Sequence, residues 1–491
     1  MNRNAKKVIV VGAGTAGLIT AMILKIRLNL EVTVIYSNKI GIIGVGEGST
    51  EQFNEFMTFA GITQEEIVKE TDATFKSGIM FDGWTSDSNY RYMHSVFGEL
   101  SDKMGQYSHV NAKLITIDGI LNFERTYNSM LDSSLLIDEQ RYRYPINQYH
   151  FNTYKLNDFL IKKSKLFGVN IIEDEINEVN LDENGYVTSV HGEKAEYTGD
   201  FFIDSTGFKR ILMTKLGAKW NSFSKYLKVN SAITFPTGDE DNYNYWTLAK
   251  ALKGGWMFRI PVWGRHGNGY IYDKNHISKE DAKKEVEELF GKELEIGKEF
   301  SFDPGCLDKI WIKNCCAVGL SGSFLEPLEA TSIGTSIQQA FILAHRLASY
   351  NEKDAENYNT DMTNILHNMR DYVLLHYLTD RKDTDFWKEA TAVELPDTLK
   401  SLMEIWKHRL PVRDDVSRVY QSNYCLFWDQ NWTQILYGIN YFDKKSIKQE
   451  FESCAKPIQN SAQDVIQRYK YSEPHIKLIS HKDYIRKIRE L

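Results

Sequence analysis

The distribution of apolar residues near the start of the chain predicts alternating strands and helices. Residues 8–11 (VIVV) form a short apolar run that ends at a glycine, which is typical of a buried parallel strand. Residues 18–28 have helical spacing, and residues 32–36 (VTVIY) have the composition of a second strand. A strand, a helix and a strand within about thirty residues predict a βαβ unit.

Further along the chain the pattern changes. Residues 201–203 and 315–320 are apolar runs that each lead into a loop, and we interpret them as further strands. Residues 228–272 alternate and predict an antiparallel sheet, whereas residues 85–125 lack a clean period and predict long loops. From residue 355 onward the spacing is mostly helical.

These elements predict an α/β fold with a Rossmann-type nucleotide-binding box. No internal repeat or Pro/Gly-rich linker divides the sequence, so we expect one compact body. Residues 1–350 are assigned to a discontinuous nucleotide-binding domain with an antiparallel insert at about 220–300. Residues 351–491 are assigned to a mostly helical substrate-binding region of the same body.

The composition narrows the class of partner. Of the 491 residues, 42% are hydrophobic and 25% are charged, which is ordinary for a globular protein. The formal net charge of −7 argues against nucleic acid or an anionic membrane surface as the main partner. Aromatic residues reach 13%, and they either fill a large core or line a pocket for a flat ligand.

The sequence contains no signal for a membrane or a metal. No run of about 18 apolar residues predicts a membrane-spanning helix. A strand and a glycine turn follow the first seven residues at once, so no signal peptide is expected. The five cysteines include no CxxC pair, which argues against zinc and against a disulfide framework. We therefore expect a cytoplasmic protein without a metal site.

Residues 12–17 (GAGTAG) form a GxGxxG turn between the first strand and the first helix. Gly12 permits the tight turn, Gly14 lets the backbone approach a pyrophosphate, and Gly17 lets the helix pack on the strand. Thr15 and Ala16 then begin the helix, whose free N–H groups suit phosphate. The motif alone is weak, but its strand–helix–strand context predicts a dinucleotide site.

The end of the second strand lacks the acid that often binds the ribose. Tyr36 and Ser37 stand there, so a hydroxyl or a backbone group must contact the ribose. Two later strand–loop junctions, 203–207 (IDSTG) and 317–320 (AVGL), favour FAD over NAD. Because no second GxGxxG unit follows, we expect a separate NAD(P)H-dependent flavin reductase to supply the electrons.

Five segments carry a family resemblance. Residues 44–50 (GVGEGST), 74–79 (TFKSGI), 149–152 (YHFN), 324–333 (FLEPLEATSI) and 381–387 (RKDTDFW) resemble, in family order, segments of flavin-dependent halogenases of the tryptophan halogenase type. The resemblance implies the fold that FAD-dependent monooxygenases and halogenases share. Together the segments are far more specific than any one of them.

Three departures from the family pattern bear on the substrate. Phe258 replaces the second tryptophan of a WxWxIP-type segment, Ala330 replaces a serine, and Glu51 replaces a proline. These changes leave the flavin chemistry plausible but weaken the case for tryptophan as substrate. The resemblance implies that this segment keeps substrate away from the flavin, and Phe258 should preserve its bulk.

The resemblance implies a mechanism. Reduced FAD (FADH₂), O₂ and a halide ion (chloride, bromide or iodide) give hypohalous acid, which is relayed to Lys76 and halogenates an electron-rich aromatic small molecule. Glu329 accepts the substrate proton or polarises the oxidant, and the N–H groups of Thr331 and Ser332 bind the halide. On composition alone Lys76 would be a solvated surface lysine. Glu329 is alternatively a structural carboxylate near a helix start.

The resemblance also assigns binding residues. FAD contacts are expected from Gly46, Glu47, Gly48, Ser49, Leu320 and Ile333. His94 and Phe97 are candidates for stacking on the aromatic substrate, and Trp428 is a candidate for closing the pocket. A satisfied histidine and plain core packing are the alternatives for these three residues.

Two other functions remain open. An FAD-dependent aromatic hydroxylase would use the same fold with Lys76 as a structural residue, and a flavin-binding sensor would use it without turnover. A free small-molecule substrate is favoured over a carrier-bound one, because no exposed basic docking stretch is found. The oligomeric state is left open between monomer and homodimer.

Overall fold

The computed structural model describes residues 3–42, 47–95, 113, 117, 134–137, 148–471 and 477–491. The strands are, in chain order, β1 (Lys7–Val11), β2 (Glu31–Tyr36), β3 (Glu47–Gly48), β4 (Thr74–Phe75), β5 (Gly78–Asp82), β6 (Arg91–Ser95), β7 (Ser134–Ile137), β8 (Tyr149–Phe151), β9 (Asn170–Glu173), β10 (Ile176–Leu181), β11 (Val187–Gly192), β12 (Glu196–Thr198), β13 (Phe201–Asp204), β14 (Trp220–Ser222), β15 (Ser231–Thr237), β16 (Trp246–Leu252), β17 (Gly255–Val262), β18 (Arg265–Tyr272), β19 (Lys298–Ser301), β20 (Gly305–Leu307), β21 (Trp311–Ile312), β22 (Cys315–Ala317), β23 (Ser323–Phe324) and β24 (Lys477–Ser480).

The α-helices are, in chain order, α1 (Thr15–Leu28), α2 (Gln52–Phe59), α3 (Gln64–Glu70), α4 (Thr153–Leu166), α5 (Ile211–Lys215), α6 (Lys279–Phe290), α7 (Thr331–Leu347), α8 (Glu352–Leu375), α9 (Asp385–Ala390), α10 (Asp397–Trp406), α11 (Arg413–Tyr420), α12 (Asp429–Gly438), α13 (Lys444–Glu452), α14 (Lys456–Tyr471) and α15 (His481–Glu490). Short 3₁₀ helices span Gly207–Lys209, Gly319–Ser321 and Leu328–Ala330. Within the described ranges, no helix combines the length and the apolar surface that crossing a bilayer requires.

The chain forms two units, each assembled from three separated segments. The first unit contains Met1–Ala73, Phe151–Ser224 and Asp303–Leu366. The second unit contains Thr74–His150, Lys225–Phe302 and His367–Leu491. The predicted insert at about 220–300 corresponds to one segment of the second unit, but the units do not follow the predicted boundary between residues 350 and 351.

The first unit is built on a six-stranded sheet with the order β21-β22-β13-β1-β2-β9. All neighbours from β22 to β9 are parallel, and β21 is antiparallel to β22. The sequence β1–α1–β2 is the predicted βαβ unit, and its apolar runs are buried as expected. The carboxyl ends of β1, β2, β13 and β22 meet at one edge, where α/β proteins bind nucleotides.

Two predicted segments differ from the structure. The strand expected at 315–320 ends at Ala317, because Gly319 has φ +60° and begins a 3₁₀ turn. The region 85–125, expected to form loops, contains strand β6, which pairs with β5. Local periodicity could delimit neither strand, since a positive φ at Gly319 follows the end of one and pairing with β5 sets the ends of the other.

The second unit is built on a seven-stranded sheet with the order β19-β15-β18-β17-β16-β5-β6. All neighbours are antiparallel except β16 and β5, so the predicted antiparallel sheet at 228–272 is found as β15 to β18. The segment with Phe258 forms β17, and the Phe258 ring packs where a side chain at Gly269 would otherwise lie. Lys76 lies in the short connection between β4 and β5.

Candidate active site

The glycine turn of the first unit has the geometry of a phosphate-binding loop. Gly12 has φ +109°, and a Cβ there would lie 2.1 Å from the Ser205 carbonyl oxygen. A Cβ at Gly17 would lie 2.2 Å from the Gly12 carbonyl oxygen. A Cβ at Gly14 would meet nothing within 4 Å, and no side chain caps α1 at this residue. The backbone at Gly14 is therefore open to a ligand and lies next to the uncapped N–H groups of α1, an arrangement that suits a pyrophosphate.

The two later strand–loop junctions meet this turn, as the sequence predicts. The Ser205 carbonyl borders Gly12, and a Cβ at Gly319 would lie 2.6 Å from the Ala16 Cβ. The Ser321 hydroxyl donates to the Gly207 carbonyl oxygen at 3.2 Å. Residues 12–17, 204–207 and 317–321 therefore form one continuous edge.

Asp204 stabilises this edge rather than presenting its carboxylate to it. Its Oδ1 accepts from the N–H and the hydroxyl of Thr206 at 3.0 and 2.7 Å. Its Oδ2 accepts from the N–H groups of Leu212 and Met213 at 2.9 and 3.0 Å. Because Asp204 is fully buried, these four hydrogen bonds stabilise the turn and the start of α5.

The end of β2 acquires a carboxylate from the connection that follows the neighbouring strand β9. The Tyr36 carbonyl accepts from the Asp174 N–H at 2.9 Å, and the Ser37 hydroxyl donates to Glu175 Oε2 at 3.4 Å. Lys39 lies 3.5 Å from the same carboxylate. Sequence analysis missed Glu175, because its neighbour β9 pairs with β2 only in the folded sheet. The available signal was the run of three acidic residues, Glu173, Asp174 and Glu175, directly after the apolar residues Ile171 and Ile172.

The EPLE segment has an unusual backbone at the start of α7. Glu329 has φ 67° and Ala330 has φ 53°, so two consecutive non-glycine residues adopt the left-handed region. Such conformations cost about 1 kcal/mol or more each and are concentrated at functional sites. Glu329 is buried, and no side chain caps α7 at Ala330. Thr331 is buried, whereas Ser332 is exposed.

The segment after Ser49 packs against the first turn of α7. A Cβ at Gly334 would lie 2.2 Å from Thr50 Oγ1 and 3.2 Å from Gln52 Oε1. Both oxygens are buried and have no hydrogen-bond partner among the described residues. Buried polar atoms are normally hydrogen-bonded, so these two oxygens fit a bound group that offers hydrogen-bond donors. Gly48, Ser49, Leu320 and Ile333 lie in the same unit, whereas Gly46 and the side chain of Glu47 are outside the described residues.

Lys76, in the second unit, is buried and not the solvated lysine that composition alone suggests. Its side chain is part of a residue only 2% exposed. The Lys76 N–H donates to the Gln148 carbonyl at 3.0 Å, and the Ser77 N–H donates to the Tyr245 carbonyl at 2.6 Å. These hydrogen bonds therefore fix the backbone of Lys76 and Ser77.

A neutral histidine lies beside this lysine. Strands β4 and β8 pair Thr74 with His150, so the TFKSGI and YHFN segments meet. Thr74 donates to the Pro261 carbonyl at 2.7 Å, while the His150 ring nitrogens lie 3.4 Å from the Thr74 hydroxyl and 2.8 Å from that of Thr247. Burial, and then the nearby charge of Lys76, hold the pKa of His150 well below its usual value.

The predicted substrate residues His94 and Trp428 are joined through Asn431. His94 Nε2 lies 3.1 Å from the Asn431 amide nitrogen, and the Asn431 amide oxygen accepts from the Trp428 N–H at 2.8 Å. His94 Nδ1 lies 3.4 Å from the Tyr372 hydroxyl, so both ring nitrogens have partners. Phe97 is outside the described residues. Asn431 was missed because an asparagine in the first turn of a helix carries no motif of its own.

Comparison with known proteins places this geometry in a family. The profile of the family described as tryptophan halogenase matches residues 7–452. The tryptophan 6-halogenase SttH of Streptomyces toxytricini is 31% identical over 459 residues, which are 86% of this chain and 87% of the relative.

Solved structures agree with this match. The crystal structure of SttH has a TM-score of 0.81 at 27% identity and covers 98% of this chain and 99% of that chain. Xcc4156, a flavin-dependent halogenase from Xanthomonas campestris, has a TM-score of 0.79 at 26% identity and covers 99% of both chains. The α/β fold with a helical C-terminal region and the family resemblance are thereby confirmed.

Proposed function

The chain belongs to the tryptophan halogenase family, and from this premise we propose that it halogenates an electron-rich aromatic small molecule of indole or phenol type. The observation that carries the proposal is the burial of Lys76, whose backbone is hydrogen-bonded to Gln148 and follows the strand that pairs Thr74 with His150. A lysine placed in this way can hold an oxidised halogen close to an aromatic carbon.

The first unit is proposed to bind FAD and a halide. When bound, reduced FAD and O₂ supply the oxidising equivalent that converts the halide to hypohalous acid. The turn from Gly12 to Gly17, including Thr15 and Ala16, binds the pyrophosphate, and Tyr36 and Ser37 contact the ribose region together with Glu175. Further contacts with FAD are assigned to Gly46, Glu47, Gly48, Ser49, Leu320 and Ile333.

The start of α7 is proposed to hold the halide. The N–H groups of Thr331 and Ser332 stand at a helix N-terminus without a side-chain cap, where the helix dipole favours an anion. Glu329 is the proposed base for the proton that the substrate carbon loses, or the group that polarises the oxidant. Backbone N–H ligands discriminate weakly among chloride, bromide and iodide.

Lys76 is the proposed halogen carrier. Its ammonium donates a hydrogen bond to the oxygen of hypohalous acid and polarises the O–X bond. Alternatively, its amine attacks the halogen, so that an N–X bond forms, the O–X bond breaks and water leaves. In either form the aromatic carbon attacks the halogen and then loses its proton.

The cluster of His94, Asn431 and Trp428 is proposed to bind the substrate ring. Because both His94 nitrogens already have partners, the histidine would present its ring rather than a free N–H. Phe97 is assigned to the same surface from the family resemblance alone. A separate NAD(P)H-dependent flavin reductase is the proposed electron source, and the proposed compartment is the cytoplasm.

A substrate panel tests the reaction. Indoles, phenols and anilines are incubated with the protein, FAD, a generic flavin reductase and NADH in chloride, bromide or iodide, and products are identified by mass. We expect a halogenated product that Lys76→Met abolishes while FAD binding persists. Oxygenated product at equal rate in halide-free buffer would instead establish the hydroxylase.

A further inference from the structure

The C-terminal helix α15 begins with a histidine in the same unit as Lys76. His481 is fully buried. Its Nε2 accepts from the Phe75 N–H at 3.0 Å, and its Nδ1 lies 3.2 Å from the Asn244 carbonyl oxygen. A backbone N–H can only donate and a carbonyl can only accept, so Nδ1 carries the proton and the ring is neutral. Burial also lowers the pKa of His481 to about 3.

The ring of His481 is fixed by stacking. Its centroid lies 4.2 Å from that of Tyr245 at an interplanar angle of 14°, and 5.9 Å from that of Phe75 at 20°. Tyr245 is also the residue whose carbonyl accepts from the Ser77 N–H and hydroxyl. His481 therefore contacts Phe75, which precedes Lys76, and Tyr245, whose carbonyl holds the residue after Lys76.

Two residues that follow His481 also attach α15 to the second unit. Lys482 donates to Asp239 Oδ2 at 2.7 Å, and the Tyr484 ring lies 5.5 Å from the Phe75 ring. The ion pair holds the helix to the segment after β15, and the aromatic packing holds it to β4, although Phe75 and His481 are 406 residues apart in sequence.

We propose that α15 is part of the lysine site and that His481 is a positioning residue for Lys76. The proposal rests on the proposed role of Lys76. By accepting from the Phe75 N–H, His481 fixes the backbone that carries the amine, so that the oxidised halogen is held in line with the substrate. Without that hydrogen bond the amine is misplaced and hypohalous acid escapes into solution, while its formation in the first unit continues.

Two substitutions separate the hydrogen bond from the packing. His481→Phe keeps the stacked ring but leaves the buried Phe75 N–H without an acceptor, whereas His481→Gln keeps an acceptor and loses the ring. Arg486→Ala, which removes an exposed side chain from the same helix, is the matched control. Each variant is assayed as the full-length protein with FAD, halide and the best substrate of the panel.

The measurements are kcat and KM for halogenated product, O₂ consumption, and free hypohalous acid trapped by a soluble β-diketone. For His481→Phe we expect kcat to fall about tenfold or more with KM nearly unchanged, because small displacements of a reacting group have large kinetic effects. Trapped hypohalous acid should rise correspondingly at constant O₂ consumption. His481→Gln should recover most of the lost kcat, and Arg486→Ala should match the parent.

Three results would overturn the proposal: equal losses of kcat in the Phe and Gln variants, unchanged product yield in the Phe variant, or a fall in kcat without a rise in trapped hypohalous acid. Lys76→Met is measured in parallel. If that variant halogenates normally, the proposed role of Lys76 itself is wrong, and this failure is distinct from a failure of His481 alone. Thermal unfolding of each variant identifies a loss of fold, which would also count against a positioning role confined to kcat.

Discussion

Tyr36 stands at the end of β2, where a Rossmann unit often has an acid for the ribose hydroxyls. Glu175 brings a carboxylate to the same place, 3.4 Å from the Ser37 hydroxyl, and its side chain is 24% exposed. We infer that Glu175 replaces in space the acid that is missing in sequence. The local sequence could show only that the acid is missing after β2, because Glu175 follows a different strand, β9.

The Glu175→Gln variant tests this inference. A hydrogen bond between the ribose and a charged carboxylate contributes about 1.5–3 kcal/mol. Because Lys39 also pairs with Glu175 and reduces this contribution, we expect the variant to bind FAD about tenfold more weakly. Titration with FAD, followed by quenching of flavin fluorescence, measures the dissociation constant. Glu193→Gln is the control, because Glu193 also pairs with Lys39 but is 48% exposed. Equal affinities in the two variants would contradict the assignment.

At the scale of elements, the start of α7 combines a well-predicted helix with an unpredicted backbone. The apolar spacing after the EPLE residues predicts a helix from about Ser332 to Tyr350, and the structure has this helix at Thr331–Leu347. The left-handed conformations of Glu329 and Ala330 could not be predicted, because neither residue is glycine or asparagine and the packing of the whole unit selects them. The family resemblance predicted the importance of this segment, but not its backbone strain.

Substitutions at Ala330 test the strain. Glycine adopts a left-handed conformation without the clash of a Cβ, so Ala330→Gly should be neutral or should stabilise the fold by up to about 1 kcal/mol. Ala330→Val should destabilise it by about 2 kcal/mol, because a β-branched residue fits this region poorly. Urea unfolding gives the free energy of unfolding of each variant. A more stable valine variant would show that the conformation is not strained.

At the scale of the molecule, strands and helices could be predicted from the sequence, but the pairing of distant strands could not. Strand β5 pairs in parallel with β16, although more than 160 residues separate Gly78 from its partner Trp246. The hydrophobic pattern of one strand does not specify its partner, because strands with similar patterns can pair with one another. The predicted boundary near residue 350 follows the change to helical spacing, whereas the two units follow such distant pairings.

Two buried histidines of the second unit should make the protein sensitive to acid. The pKa of His481 is lowered to about 3 and that of His150 lies well below its usual value, both mainly through burial. An unfolded histidine has a pKa of about 6.5, so below that pH the unfolded chain binds more protons than the folded one. Their contribution to stability is therefore complete above pH 6.5 and is lost progressively as the pH falls. The raised pKa of Asp371 acts in the opposite direction.

The magnitude follows from the pKa difference. At pH 5 His481, with a folded pKa of about 3, should reduce the free energy of unfolding by about 2 kcal/mol relative to pH 7, and His150 should add to the loss in the same direction. Urea unfolding of the full-length protein at the two pH values, followed by tryptophan fluorescence, measures the loss. In His481→Gln one of the two groups cannot take up a proton, so this variant should lose about 2 kcal/mol less than the parent. An identical pH dependence in both proteins would mean that His481 is already able to bind a proton in the folded state.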